Sequence, residues 1–261
     1  MTAGFSVPVT HVSSRDNPLI KELRKLSQNS TAYRAQGRIW LEGDHLCRAL
    51  LARGFKPVIA VFSESFWPLA PLEYTQVAFK NIVVSEPLLP EISGLESPAR
   101  MGFVLELTAA PELLFDTASV ILDRVQDAGN VGSILRSAAA FGFSQIIALK
   151  GTAALWSPKV LRAAMGAHFS LRLVEGVHPG VLAGLTVPIV VTSSHQGKLL
   201  HQQELPMPCA WIMGHEGQGV SDELLASAQL QVRIDQPGGE ESLNVAAAAA
   251  ICLHASALQR H

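Results

Sequence analysis

The chain has 261 residues, 48% of them hydrophobic and only 16% charged, which excludes a disordered, collagen-like or repeat protein and leaves material for two ordinary cores. Cys47, Cys209 and Cys252 form no CxxC pair, so neither a disulfide framework nor a zinc site is indicated, and the longest apolar stretch, 245–253, is far short of the roughly 20 residues of a membrane helix. The net charge of −2 hides an uneven distribution: residues 1–56 hold nine Lys or Arg against four Asp or Glu, residues 57–117 two against eight, and the remainder nine against ten.

Residues 1–12 are expected to be a disordered tail. A helix starts near Asn17-Pro18, where proline in the first turn forfeits no needed N–H. Leu19, Ile20, Leu23 and Leu26 then recur at helical spacing, with Lys21, Arg24 and Lys25 on the other face. Arg15, Arg34 and Arg38 complete a basic region that offers a footprint for phosphate, although such clusters also occur as plain solvated faces. Residues 39–41 read as a short strand entering a turn, 44–53 as a helix closed by Gly54, and 58–62 and 82–84 as further strands. Together they predict a small α/β unit over 13–108, followed by a linker at 109–117.

From residue 118 onward, apolar strands alternate with helices. Strands are expected at 118–122, 144–149, 171–174, 188–192, 210–213 and 231–234, and helices at 129–141, 158–166 and 242–258. That order implies a mostly parallel sheet with helices on both faces, whose ligands bind in the loops at the carboxyl ends of the strands.

Three such loops carry the chemistry. The first, 123–133, crowds polar residues and glycine at a helix start and is followed by Arg136, six residues after Asn130; two turns of helix would bring both to one side. A capped helix with a surface arginine explains it as well. The second, 214–221, has three glycines in six residues directly after a buried strand, which suits close backbone approach to a ligand or simply a tight turn. It lacks the glycine a GxGxxG fingerprint needs at Asp222, the Lys of a Walker A loop and the second His of HExxH. The third, 235–245, turns at Pro237-Gly238-Gly239, with Ser242 a suitable N-cap and Asn244 in the first turn of an alanine-rich helix, either as a satisfied structural polar group or as a site residue.

Taken together the loops are far more specific. Asn130-x-Gly132-Ser133-x-x-Arg136, Gly214-x-Glu216-Gly217-x-Gly219 and Ser242-Leu243-Asn244-Val245 occur in that order, each after a predicted strand. This resembles the SpoU (TrmH-like) branch of the SPOUT RNA methyltransferases over the whole C-terminal part, 118–261. Ser14-Arg15-x-Asn17-Pro18-x-Ile20-Lys21 and Gly37-x-x-x-Leu41-Glu42-Gly43 are similar to the L30e-like substrate-binding domain that many members carry.

The resemblance implies a trefoil knot in the C-terminal domain and S-adenosylmethionine as cofactor, held largely by main-chain groups. The carried-over contacts are Gly214, Gly219, Ile234, Pro237 and Leu243, with Thr192 opening a further loop. It implies methylation of a ribose 2′-hydroxyl in structured RNA, 23S rRNA more than tRNA, by a homodimer that needs no metal. Arg136 is the implied catalytic residue, with Asn130, Glu216, Ser242 and Asn244 ordering the site. Because a guanidinium stays protonated, Arg136 is a poor general base; it would steady the developing alkoxide or grip a phosphate. Arg15, Lys21, Arg24, Lys25, Arg34 and Arg38 would contact RNA through phosphate and shape. With no signal-peptide pattern, a soluble cytoplasmic protein is expected. Two alternatives stand: a nucleotide-dependent α/β enzyme of another class, and a non-catalytic RNA-binding relative.

Overall fold

The structure, a computed structural model, describes residues 7–107, 109–193, 197–238 and 242–259. The chain divides into two compact units, Met1–Ala109 with Trp156–Phe169, and Ala110–Leu155 with Ser170–His261.

The first unit holds a five-stranded mixed sheet ordered β1-β4-β3-β5-β2. In chain order its elements are β1 (Val9–Val12), α1 (Pro18–Gln28), α2 (Ala32–Gln36), β2 (Arg38–Glu42), α3 (Asp44–Ala52), β3 (Ile59–Ser63), α4 (Leu72–Thr75), β4 (Lys80–Val84), α5 (Leu89–Ile92) and β5 (Met101–Glu106). Helix α1 starts as its sequence dictates: Asn17 Oδ1 accepts from the Leu19 N–H, Pro18 opens the first turn, and Ile20, Leu23 and Leu26 are buried. The expected tail is corrected in part. Val9–Val12 pairs in parallel with β4 as an edge strand, a run too short to show a period of its own, while residues 1–6 lie outside those described.

A second correction concerns α7 (Pro158–Ala164), expected among the helices of the C-terminal sheet, which groups with the first unit. It packs against α1 and β2. Downstream, Gly166, at a φ of +86°, lies so near Ala49 that a Cβ would come within 2.4 Å of the Ala49 Cβ, and the Phe169 ring lies tilted against Phe55, with centroids 5.6 Å apart. Amphipathic spacing specifies a helix but not the sheet that receives its buried face.

The second unit is a seven-stranded sheet, parallel throughout, ordered β10-β12-β9-β11-β6-β7-β8. Its strands are β6 (Ser119–Leu122), β7 (Gln145–Leu149), β8 (Arg172–Val177), β9 (Ile189–Thr192), β10 (Lys198–Leu199), β11 (Ala210–Met213) and β12 (Leu230–Arg233). Helices α6 (Ala128–Ala140), α8 (Asp222–Ser227) and α9 (Val245–Leu258) cover it. Every residue of β6, β7 and β11 is buried, as a strand covered on both faces requires. Alternation sorts them: Ile121, Ile147, Val191 and Ile212 join Leu182 and Leu224 in one cluster. On β11, Trp211 instead donates its indole N–H to Ser256 of α9 at 2.9 Å. From β6 the order runs to β7 and β8 on one side and to β11 on the other, so the chain reverses between β6 and β11. The crevice at that reversal is where a sheet of this kind binds its ligand.

Candidate active site

The loops after β6, β11 and β12 converge at the carboxyl edge of the second sheet. Asp127 caps α6, its Oδ1 accepting from the Asn130 N–H at 2.8 Å. From the loop after β11, the Glu216 carboxylate adds to that helix start, accepting from the N–H groups of Gln126 (3.2 Å) and Asp127 (3.0 Å) and from Asn130 Nδ2 (3.1 Å). A negative charge is favoured there, where free N–H groups and the helix dipole point outward. Asn130 Oδ1 in turn accepts from Asn244 Nδ2 at 2.9 Å, and Asn244 Oδ1 accepts from Ala246 and Ala247 at the start of α9. One hydrogen-bonded chain, Glu216–Asn130–Asn244, therefore ties the three loops. Asn244, expected as a buried amide inside the helix, is exposed and is the N-cap itself; Ser242 is not the cap.

Burial would raise the Glu216 pKa, but the bonds from Asn130, Asp127 and Gln126 outweigh it and hold the carboxyl below its ordinary value. Such a carboxylate is a weak base, which fits an ordering role better than proton abstraction. Beneath it, Asp123 at the end of β6 is buried, which alone would raise its pKa. The Arg124 guanidinium and the Ser221 N–H, both bonded to it, hold it low instead. Arg124 sits in the left-handed region, φ 58°, and also donates to Gln218 Oε1, so this pair braces the loop after β11.

A cavity of about 370 Å³ opens beside the chain of amides. Of the residues expected at the cofactor, Thr192, Gly214, Ile234 and Leu243 line it, and Glu216, Ser242 and Asn244 stand on its wall. Gly219 and Pro237 do not. Gly219 instead closes the turn by pairing with His215, and at Gly214 a Cβ would fall 2.3 Å from the Gly219 carbonyl carbon, so Gly214 is required by the loop's own packing. Missed by sequence reasoning were Ser193, His215 and Gln236, also on the wall; nothing in the order of residue types marked them. A second cavity of about 400 Å³, near Leu182, Val187 and Ile189, opens by the amino end of β9, away from these loops.

Arg136 is bonded to none of these amides. Six residues on a helix amount to about 600°, or about 120° away from Asn130 around the axis. Arg136 is exposed and makes no hydrogen bond or ion pair among the described residues. In the first unit, most of the expected RNA-binding cations have partners. Arg15 and Arg24 meet Glu91, Lys21 meets Asp16, and Arg38 meets Glu22 and Glu106. Arg34 lies over the Tyr33 ring, and Lys25 is exposed. No cluster of metal-binding side chains occurs among the described residues.

The model of the SpoU rRNA Methylase family matches residues 117–254. The chain is 32% identical to the 23S rRNA (guanosine(2553)-2′-O)-methyltransferase RlmP of Bacillus subtilis, covering 93% of this chain and 97% of that one. A crystal structure of an RNA 2′-O ribose methyltransferase superposes with a TM-score of 0.79 at 30% identity, over 96% of this chain and 99% of the other. An AdoMet-bound rRNA methyltransferase from Sinorhizobium meliloti does so at 0.84 and 26% identity, over 97% and 99%.

Proposed function

The chain belongs to the SpoU rRNA methylase family, and on that premise we propose that it transfers a methyl group from S-adenosylmethionine to a ribose 2′-hydroxyl of 23S rRNA. The observation that carries the reading is the hydrogen-bonded chain Glu216–Asn130–Asn244 on the rim of the cavity, which joins the three motif loops into one site.

The cavity fits the cofactor. Its volume falls within the roughly 300–1,000 Å³ of small-molecule pockets, and Ile234 and Leu243 stand beside polar Thr192 and Ser242. When bound, S-adenosylmethionine supplies an electrophilic sulfonium methyl. Asn130 and Asn244, each fixed by its own bonds, hold the rim in shape, and orientation of this kind is the larger part of a methyl transfer. Glu216 stays ionised and anchors the start of α6. Arg136, free of partners among the described residues, meets the RNA and acts by charge, on the developing alkoxide or the adjacent phosphate, not as a proton acceptor.

Residues 13–108 form the RNA-binding domain in this reading. The ion pair of Lys21 and the Arg15 side of its pair lie at the surface, where such pairs are worth little and can be exchanged for phosphate, while Arg24 and Arg38 are half-buried. A homodimer through the C-terminal part is supported by α9, where Ile251 (41% exposed) and Leu258 (66%) present apolar surface beside an alanine-rich start. The trefoil knot and a cytoplasmic location complete the proposal.

The test is transfer of labelled methyl from S-adenosylmethionine to 23S rRNA transcribed without modification, comparing the intact chain with Arg136→Ala. Label in 2′-O-methyl nucleosides that falls by about 100-fold or more in the variant is expected. Label on a base, or an Arg136→Ala variant as active as the parent, would overturn the assignment.

A further inference from the structure

His215 is the second residue past β11, on the cavity wall between Gly214 and Glu216. Its backbone closes a tight turn with Gly219, each donating its N–H to the other's carbonyl, at 3.0 and 2.8 Å. Within that turn the imidazole folds back on its own chain. Nδ1 accepts from the Gly217 N–H at 3.0 Å and from the Gln218 N–H at 3.2 Å. A ring nitrogen that accepts carries no proton, so the neutral ring is held as the Nε2–H tautomer.

The same turn carries Glu216. From it the carboxylate reaches the start of α6 and Asn130, the first link of the hydrogen-bonded chain that joins the three loops. Where Glu216 sits therefore depends on how the turn is folded, and the His215 ring is the side chain bonded inside it. A second proton reverses that bonding. An imidazolium donates from both nitrogens, so its Nδ1–H would meet two N–H groups head on and the ring would have to swing away. The other charged groups on this turn and the elements it joins are Glu216, Asp123 and Arg124 at the end of β6, Asp127 at the start of α6, and Asp222 and Glu223 in the first turn of α8. Burial opposes the charges of Glu216 and Asp123, but their hydrogen bonds hold both below the ordinary carboxylate range, and Arg124 stays charged beside Asp123. Histidine is the residue type in this set that ordinarily changes charge between about pH 5 and 8.

We propose that His215 is a positioning residue for methyl transfer: its neutral imidazole sets the turn that aims Glu216 at α6 and Asn130, and its protonation releases that turn. The inference rests on the methyl-transfer reading of the site and deepens it with a control by pH.

Asparagine is the replacement that tests it. Its side-chain oxygen can accept from N–H groups two and three residues on, as Asn244 does from Ala246 and Ala247, yet it does not titrate. Methyl transfer to unmodified 23S rRNA should fall roughly 10-fold or more in the parent between about pH 8 and 5.5. His215→Leu should be low across the range, about 10-fold below the parent at its best. His215→Asn should recover most of what His215→Leu loses and should lack the parent's acid limb. Nitrogen NMR of the labelled, unligated chain reads the ring without any turnover, its signal being the one missing in His215→Asn. At about pH 8 Nδ1 should be bare and Nε2 protonated, and the Gly217 and Gln218 amide signals should shift as the ring takes its second proton. A neutral ring protonated on Nδ1 would overturn the inference, as would an acid limb equally steep in His215→Asn, and either would leave the methyl-transfer reading standing. No transfer by the parent at any pH would remove that reading and the positioning role with it, while the spectra would still decide the tautomer.

Discussion

Asn244 commits its side-chain oxygen to the N-terminus of α9, where Ala246 and Ala247 would otherwise present free N–H groups, and its nitrogen to Asn130. The two uses separate by mutation. Asn244→Ala loses both, so the lost cap should cost about 1 kcal/mol and lower the melting temperature by roughly 2–4 °C. Asn244→Asp keeps a good cap but sets a carboxylate oxygen against Asn130 Oδ1, acceptor against acceptor. Its melting temperature should stay near the parent's, while methyl transfer falls roughly 10- to 100-fold in both variants as the loops lose alignment. Thermal unfolding followed by circular dichroism, with the methyl-transfer assay alongside, decides this; full activity in Asn244→Asp would show that the bond to Asn130 is dispensable. Sequence reading took Ser242 as the cap and set Asn244 inside the first turn, because both residue types cap well and only the exit path of the loop chooses.

At the scale of elements, the end of β6 is joined to the loop after β11 by Asp123, which is 3% exposed and bonds both Arg124 and the Ser221 N–H. Burial opposes its charge, yet those two partners win and its pKa lies below the ordinary value of 3.8. A carboxyl with a depressed folded-state pKa contributes stability that is present above its unfolded value and is lost as pH falls through the folded one. The parent's melting temperature should therefore drop steeply below about pH 4, and Asp123→Asn should flatten that part of the curve while starting lower at pH 7. Equal slopes in the two proteins would mean that the brace carries no charge-dependent stability. This brace was invisible in the sequence: its partners lie 98 residues apart, and nothing local marks them. The loops themselves were legible, since Gly, Asn, Ser and Asp interrupt apolar strands in a way that turn and cap chemistry explains. Gln236 was not, because a glutamine in a loop marks nothing until the fold sets it on the cavity wall.

For the whole molecule, the alternation of strands and helices after residue 118 was enough to give a parallel sheet, and six of its seven strands fall within a few residues of where apolar runs placed them; the two-residue β10 is too short to show a pattern and was missed. Which helix serves which sheet was beyond that reasoning, and α7 shows why. Its exposed and buried residues alternate correctly, but its partners are α1 and β2, more than a hundred residues upstream. The backbone therefore passes between the two units three times, after Ala109, after Leu155 and after Phe169. A gene shortened to begin at residue 110 would not encode a free-standing catalytic piece. It would encode one bearing a stripped segment, with Val160, Leu161, Ala164 and Phe169 facing water, all buried in the intact chain. Such a product should precipitate or be cleaved within 156–169, and expression trials that also turn those four positions polar should recover soluble protein.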